Sequence, residues 1–117
     1  MITIMPADKA FLESIAAPDG VEALVLRDSR QELSGHALFR VEGDTVELIS
    51  VTSDEPLMVD GLIRSVLNAG DYRGALYGLC RNESLIPNLK RLEFKETDGG
   101  YKVSLEEFFR TGCCCGE

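Results

Sequence analysis

The chain has 117 residues, 44% of them hydrophobic and 27% charged. That is one domain, large enough to bury a core without a disulfide or metal staple. The net charge of −8 argues against nucleic acid and anionic membrane surfaces, and suits a basic partner or a small-molecule amine. No apolar run approaches the roughly 18 residues of a membrane span, and the start, Met1–Met5, lacks a basic region and an apolar signal segment, so a cytoplasmic location is expected.

Ile2–Met5 is a short strand candidate. Pro6-Ala7-Asp8 opens a short helix carrying Phe11, Leu12 and Ile15 at helical spacing, and Pro18-Asp19-Gly20 turns the chain. Glu22–Arg27, Gly35–Val41 and Thr45–Val51 follow as strands. The polar run Asp28–Glu32 links the first two, and a Gly43-Asp44 hairpin turn links the last two, which predicts an antiparallel meander.

The pattern Met58, Val59, Leu62, Ile63, Val66, Leu67 predicts a helix over 57–69 with one apolar face. Ser53 or Asp54 is expected as its N-cap and Gly70 as its stop. Ala75–Cys80 is a nearly apolar strand, expected to be buried on both faces. The next helix carries Leu85, Ile86, Leu89 and Leu92 inward, with Ser84 as N-cap and Pro87 tolerated in the first turn. Phe94–Glu96 and Tyr101–Val103 form a hairpin about Asp98-Gly99-Gly100. Ser104 and Glu107 have capping-box spacing for a terminal helix, Leu105–Arg110. The domain is expected to span 1–112, with 113–117 a cysteine-rich tail.

The order is β-α-β-β-β-α-β-α-β-β plus a final helical turn, an α+β arrangement with a mixed sheet. This order resembles the GNAT-type acyl-CoA N-acetyltransferase superfamily with a shortened N-terminal half, over about Glu22–Phe109. The matching residues are Leu62-Ile63, Asn82 after the fifth strand, and Leu89-Lys90-Arg91-Leu92-Glu93-Phe94, where the family has Y-x-x-L-G-F. The resemblance implies a GNAT-like, mostly antiparallel sheet with helices packed on it. It also implies acetyl-CoA or another acyl-CoA as cosubstrate and an amine as acceptor. By resemblance, Val51, Leu57, Met58, Val59, Asp60 and Asn82 would face the cofactor, with amides near Val51 polarising the thioester carbonyl. Glu47 would be the general base.

Several residues depart from that pattern. The family's loop reads R/Q-x-x-G-x-G/A and points backbone amides at a pyrophosphate. Here Asp54, Glu55, Pro56, Leu57, Met58 and Val59 stand in it, so both glycines are bulky and the basic or amide position is acidic. Each change costs roughly 1 kcal/mol of anion binding or more, enough together to move a micromolar site toward millimolar. Leu89 replaces the Tyr that serves as acid, Glu93 replaces a Gly, and one short N-terminal helix stands for two. Tyr77 and Ser84 are the remaining acid candidates. The alternative reading is a degenerate, non-catalytic binding or interaction module.

Asn82 is also a candidate cap for the helix that follows it. Cys80 is expected to be a buried, inert thiol, and His36 a strand residue; a Cys–His pair is possible only as Cys80 with His36 or through the tail cysteines. No His/Asp/Glu cluster has metal-ligand spacing. Cys113–Cys115 could engage a soft metal only with donors from elsewhere, and an oxidation-prone terminus is the simpler expectation.

Overall fold

The computed structural model describes residues 2–111. The cysteine tail at 113–117 and the proposed stop at Gly112 lie outside the described residues.

The elements run β1 (Thr3–Pro6), α1 (Lys9–Ser14), β2 (Glu22–Arg27), β3 (Leu33–Glu42), β4 (Thr45–Ser53), a turn of 3-10 helix (Pro56–Met58) and α2 (Val59–Tyr72). Then come β5 (Tyr77–Cys80), a second 3-10 turn (Glu83–Leu85), α3 (Ile86–Arg91), β6 (Lys95–Thr97), β7 (Gly100–Ser104) and α4 (Leu105–Thr111). The seven strands make one sheet in the order β1-β2-β3-β4-β5-β7-β6. Only β4 and β5 pair in parallel; the other neighbours are antiparallel. The sequence reading of an α+β, mostly antiparallel sheet holds, and α2 makes the crossover between parallel β4 and β5.

One face of the sheet carries the core. Leu24, Leu26, Ala37, Phe39, Val46, Leu48, Cys80 and Val103 pack against Leu62, Ile63, Val66 and Leu67 of α2, Leu89 of α3 and Leu105 of α4. Contact between α2 and β4 is close at one point. A Cβ on Gly70 would lie 2.5 Å from the Cβ of Val46, so only glycine lets the helix lie there. Gly70 is therefore an interior packing residue and not the helix stop. The helix runs on to Tyr72, and Gly74, at φ 91°, supplies the left-handed residue beyond its end. Neither Ser53 nor Asp54 caps it. The 3-10 turn extends the helical run upstream, and its Glu55 start has no side-chain cap.

The other face is only partly covered. Helix α1 is six residues long, buries none of them, and is capped by Asp8, whose Oδ1 accepts from Phe11 N at 2.9 Å. Phe11 meets His36 edge-on at 5.4 Å between centroids. Strand β5 is not buried on both faces: Tyr77 and Leu79 are half-exposed and Leu76 is 57% exposed. Among the described residues no helix is long and apolar enough to cross a membrane.

Candidate functional site

The parallel pairing of β4 with β5 runs from Thr45↔Tyr77 to Leu48↔Cys80 and stops there. Strand β4 continues to Ser53 while β5 ends at Cys80, so beyond Leu48 the two chains part and leave a cleft. A bulge marks the point of parting. Leu38 pairs with Ser50 and Phe39 with Leu48, which leaves Ile49 as the extra residue on β4. Bulges bend a strand and re-aim its groups.

Asn82 spans the cleft. Its Nδ2 donates to the Ile49 carbonyl at 3.1 Å, and its Oδ1 accepts from Ser84 N at 3.0 Å and Ser84 Oγ at 2.7 Å. One side chain thus caps the turn that leads into α3 and ties the end of β5 to the bulge of β4. The cap is Asn82 and not Ser84, and the Ser84 hydroxyl is spent on Asn82.

Glu47 stands two residues before the bulge. Val46 and Leu48 enter the core, so Glu47 points to the opposite, half-open face, its side chain 22% exposed and 3.6 Å from Arg81 Nη1. Next to Arg81, a cavity of about 280 Å³ opens between the end of β5, the start of α3 and the β6–β7 hairpin, lined among others by Asn82, Glu83, Glu96 and Tyr101. Gly100 lets the hairpin close on β5: a Cβ there would sit 2.6 Å from the Cys80 carbonyl oxygen.

The loop at the start of α2 is occupied by its own bonds. Asp54 N donates to Ser34 O at 2.8 Å, Glu55 N to Ser53 Oγ at 3.0 Å, and Met58 N to Glu55 O at 2.9 Å. Val59 N donates to Pro56 O, and Pro56 has no N–H to give. Five of the six positions 54–59 therefore present no amide to a ligand. Leu57 is 88% exposed at the tip of the turn, and Asp54 and Glu55 are exposed beside it. These residues do not fit a diphosphate, because donors, space and charge all oppose one.

Asp60, in the first turn of α2, is turned inward onto α3. Its Oδ2 accepts from Arg91 Nε at 2.9 Å, and its Oδ1 accepts from Arg91 Nη2 at 3.2 Å and Asn88 Nδ2 at 2.8 Å. The Arg91 guanidinium holds the Asp60 carboxyl below its ordinary range, against the opposing effect of partial burial.

The remaining candidates separate. Leu89 is fully buried, so the position of the family acid holds core packing. Tyr77 sits at the far end of β5 from the cleft, about 10 Å of strand away, with Lys102 Nζ 4.3 Å from its ring centroid. Neither Tyr77 nor Ser84 is placed as an acid. Burial pushes the Cys80 thiol up, and Cys80 shares the core face with Ala37 and Phe39, whereas His36 points to the α1 face. The two do not pair. Val51 lies on β4 past the bulge, paired with Ala37, and Met58 and Val59 pack half-buried against the core. Among the described residues no three His, Cys, Asp or Glu side chains are grouped to hold a metal ion. Sequence reasoning missed Arg81, Asn88 and Arg91, since their partners lie about thirty positions away and no local pattern announces them.

No protein-family model matches this chain, and no curated protein matches it by sequence. Solved structures do match its fold. A protein assigned as an acyl-CoA N-acyltransferase in Klebsiella pneumoniae superposes with TM-score 0.70 at 17% identity, covering 90% of this chain and 98% of its own. A Vibrio cholerae spermidine N-acetyltransferase gives 0.75 at 8% identity, over 95% and 98% of the two chains. A Staphylococcus aureus acetyltransferase of the GNAT family gives 0.68 at 11% identity, over 90% and 99%. The chain has the GNAT acetyltransferase fold.

Proposed function

We propose that this chain is a non-catalytic binding module built on the acetyltransferase fold, taking its ligand in the cleft between β4 and β5 and in the cavity beside Asn82. The observation that carries this reading is the loop at 54–59, whose amides are bonded within the chain where a cofactor diphosphate would need them. The buried Leu89 supports it, because no proton donor stands at that position. The cleft itself stays usable. Past Ile49, whose carbonyl Asn82 already holds, the edge of β4 that faced β5 can pair with an extended, amide-bearing ligand, as strand edges do. Glu83 and Glu96 at the cavity and the net charge of −8 suit a basic ligand.

A second reading is acyl transfer to an amine, favoured by Glu47 on the open face two residues from the bulge. Glu47 would there take the proton lost by the attacking ammonium, after releasing Arg81. Calorimetric titration with acetyl-CoA, with free-thiol release assayed against a panel of primary amines, separates the two. The expected result is a dissociation constant no tighter than about millimolar and no turnover. Low-micromolar binding with turnover that disappears in Glu47→Gln would establish the second reading instead.

A further inference from the structure

We propose that Asp60 is a built-in anion: its carboxylate occupies side-chain donors of Arg91 and Asn88 on α3 that could otherwise take an outside phosphate, and so locks α2 to α3. The inference rests on the reading that this end of α2 refuses a diphosphate, and adds that side-chain donors reaching it from α3 are already taken. Arg91 lies in the last turn of α3 and brings Nε and Nη2 to the two oxygens of Asp60, at 2.9 and 3.2 Å, while Asn88 Nδ2 adds a third donor at 2.8 Å. A guanidinium fork beside an amide is a donor set that also grips phosphate oxygens. Arg64, one turn further along α2, adds positive charge on the same side. The donors for an anion are thus present, and the chain's own carboxylate holds those that Arg91 and Asn88 bring to it.

Two things follow. An incoming phosphate must displace a carboxylate covalently attached to α2, at very high local concentration. Removing that carboxylate should leave the Arg91 and Asn88 donors unsatisfied and open to an outside anion, with the Arg64 charge close enough to favour one.

Inorganic pyrophosphate is the probe, read by calorimetry and by melting temperature. The intact chain should show no melting shift. Asp60→Ala should melt lower alone and recover with pyrophosphate, binding it at least about tenfold more tightly than the intact chain, in line with a charge-assisted bond gained. The double variant Asp60→Ala with Arg91→Gln should lose that gain. Equal binding by the intact chain and Asp60→Ala, no binding by a folded Asp60→Ala, or a gain that survives Arg91→Gln would each overturn the proposal. If Asp60→Ala does not fold, the Arg91 Nε–H resonance of the intact chain decides: it should shift as Asp60 titrates, and an unresponsive resonance rejects the lock. Acetyl-CoA turnover by the intact chain, with pyrophosphate binding still gained only in Asp60→Ala, would sink the binding-module reading and leave the lock standing.

Discussion

Gly70→Ala tests how the sheet and α2 are held together beneath the cleft. In an exposed helix interior this change adds about 0.8–1 kcal/mol of stability, because glycine is the poorer helix former. Here the added methyl would lie 2.5 Å from both Cβ and Cγ1 of Val46 and 3.1 Å from its Cγ2. Val46 is fully buried on β4, and a β-branched side chain on a paired strand has little room to turn away. Relief requires lifting α2 off the sheet, and overpacking of this kind costs typically 1–3 kcal/mol. The steric cost should exceed the propensity gain, so Gly70→Ala is expected to destabilise by about 1 kcal/mol net. Urea denaturation measures this as a lower midpoint at unchanged slope. The explanation is tested further by Val46→Ala. Alone it should cost about 2 kcal/mol for the lost methyl groups, but combined with Gly70→Ala the two should compensate by 1 kcal/mol or so. Additivity of the two changes within about 0.5 kcal/mol, or a more stable Gly70→Ala, would refute the reasoning.

Asn82→Ala removes the cap and the bridge to Ile49 together and should cost about 1–2 kcal/mol, whereas Asn82→Asp keeps a capping oxygen but cannot donate to the Ile49 carbonyl; faster amide exchange around Ile49–Val51 in both variants would show that the bridge holds the cleft. The Asp60 clamp should depend on pH with a definite sign. Its folded carboxyl titrates below the ordinary 3.8, so its stabilisation is fully present above the unfolded value and is lost as pH falls through the folded one. Asp60 faces Arg91, Asn88 and Arg64 and is partly exposed, so the stability gap between the intact chain and Asp60→Asn should be about 0.2–1 kcal/mol at neutral pH and close as pH falls below 3.8 and through the lowered folded value. Glu22 and Arg73 form a bidentate pair between β2 and the end of α2, and Glu22→Gln should lower stability by less than about 1 kcal/mol, with the larger effect at low salt.

The element order was legible because the segments carried their own patterns: a period of two along β3 and the start of β4, a short apolar run in β2, and the i, i+3, i+4 spacing of Leu62, Ile63, Val66 and Leu67 in α2. Glycine roles were less legible. Gly70 and Gly74 both look like stops in the sequence, but only Gly74 has positive φ; Gly70 is there for size, and what it must clear is Val46, far off in the chain. The bulge at Ile49 leaves no mark in Leu48-Ile49-Ser50, since register is set by the partner strand. For the same reason Glu47 could not be assigned a face until Val46 was seen in the core. The apolar run Ala75–Cys80 suggested burial on both faces, but a six-residue α1 cannot reach across to β5, and so Tyr77 and Leu79 stay half-exposed. The missing glycines and the acidic pair at 54–55 were legible as chemistry. The clamp of Asp60 by Arg91 was not, because it joins two helices through residues thirty-one apart.

The two halves of the site are built by different residues, so they can be lost separately. The cleft depends on the Ile49 bulge, the end of β5 at Cys80 and the Asn82 bridge, none of which involves the loop before α2. The loop depends on Pro56, the committed amides of Asp54, Glu55, Met58 and Val59, and the inward turn of Asp60. Restoring a diphosphate seat would require changes at several of these positions, because freeing one amide leaves the Asp54 and Glu55 charges and the Leu57 side chain in place. Ligands that use only the cleft meet none of these obstacles. On the reading proposed above, the loop at 54–59 turns away the nucleotide end of a cofactor, while the β4 edge beyond the Asn82 bridge stays available. On that proposal a compact basic ligand with its own amides is the chemistry to look for, its charge resting on the Glu83–Glu96 side of the cavity.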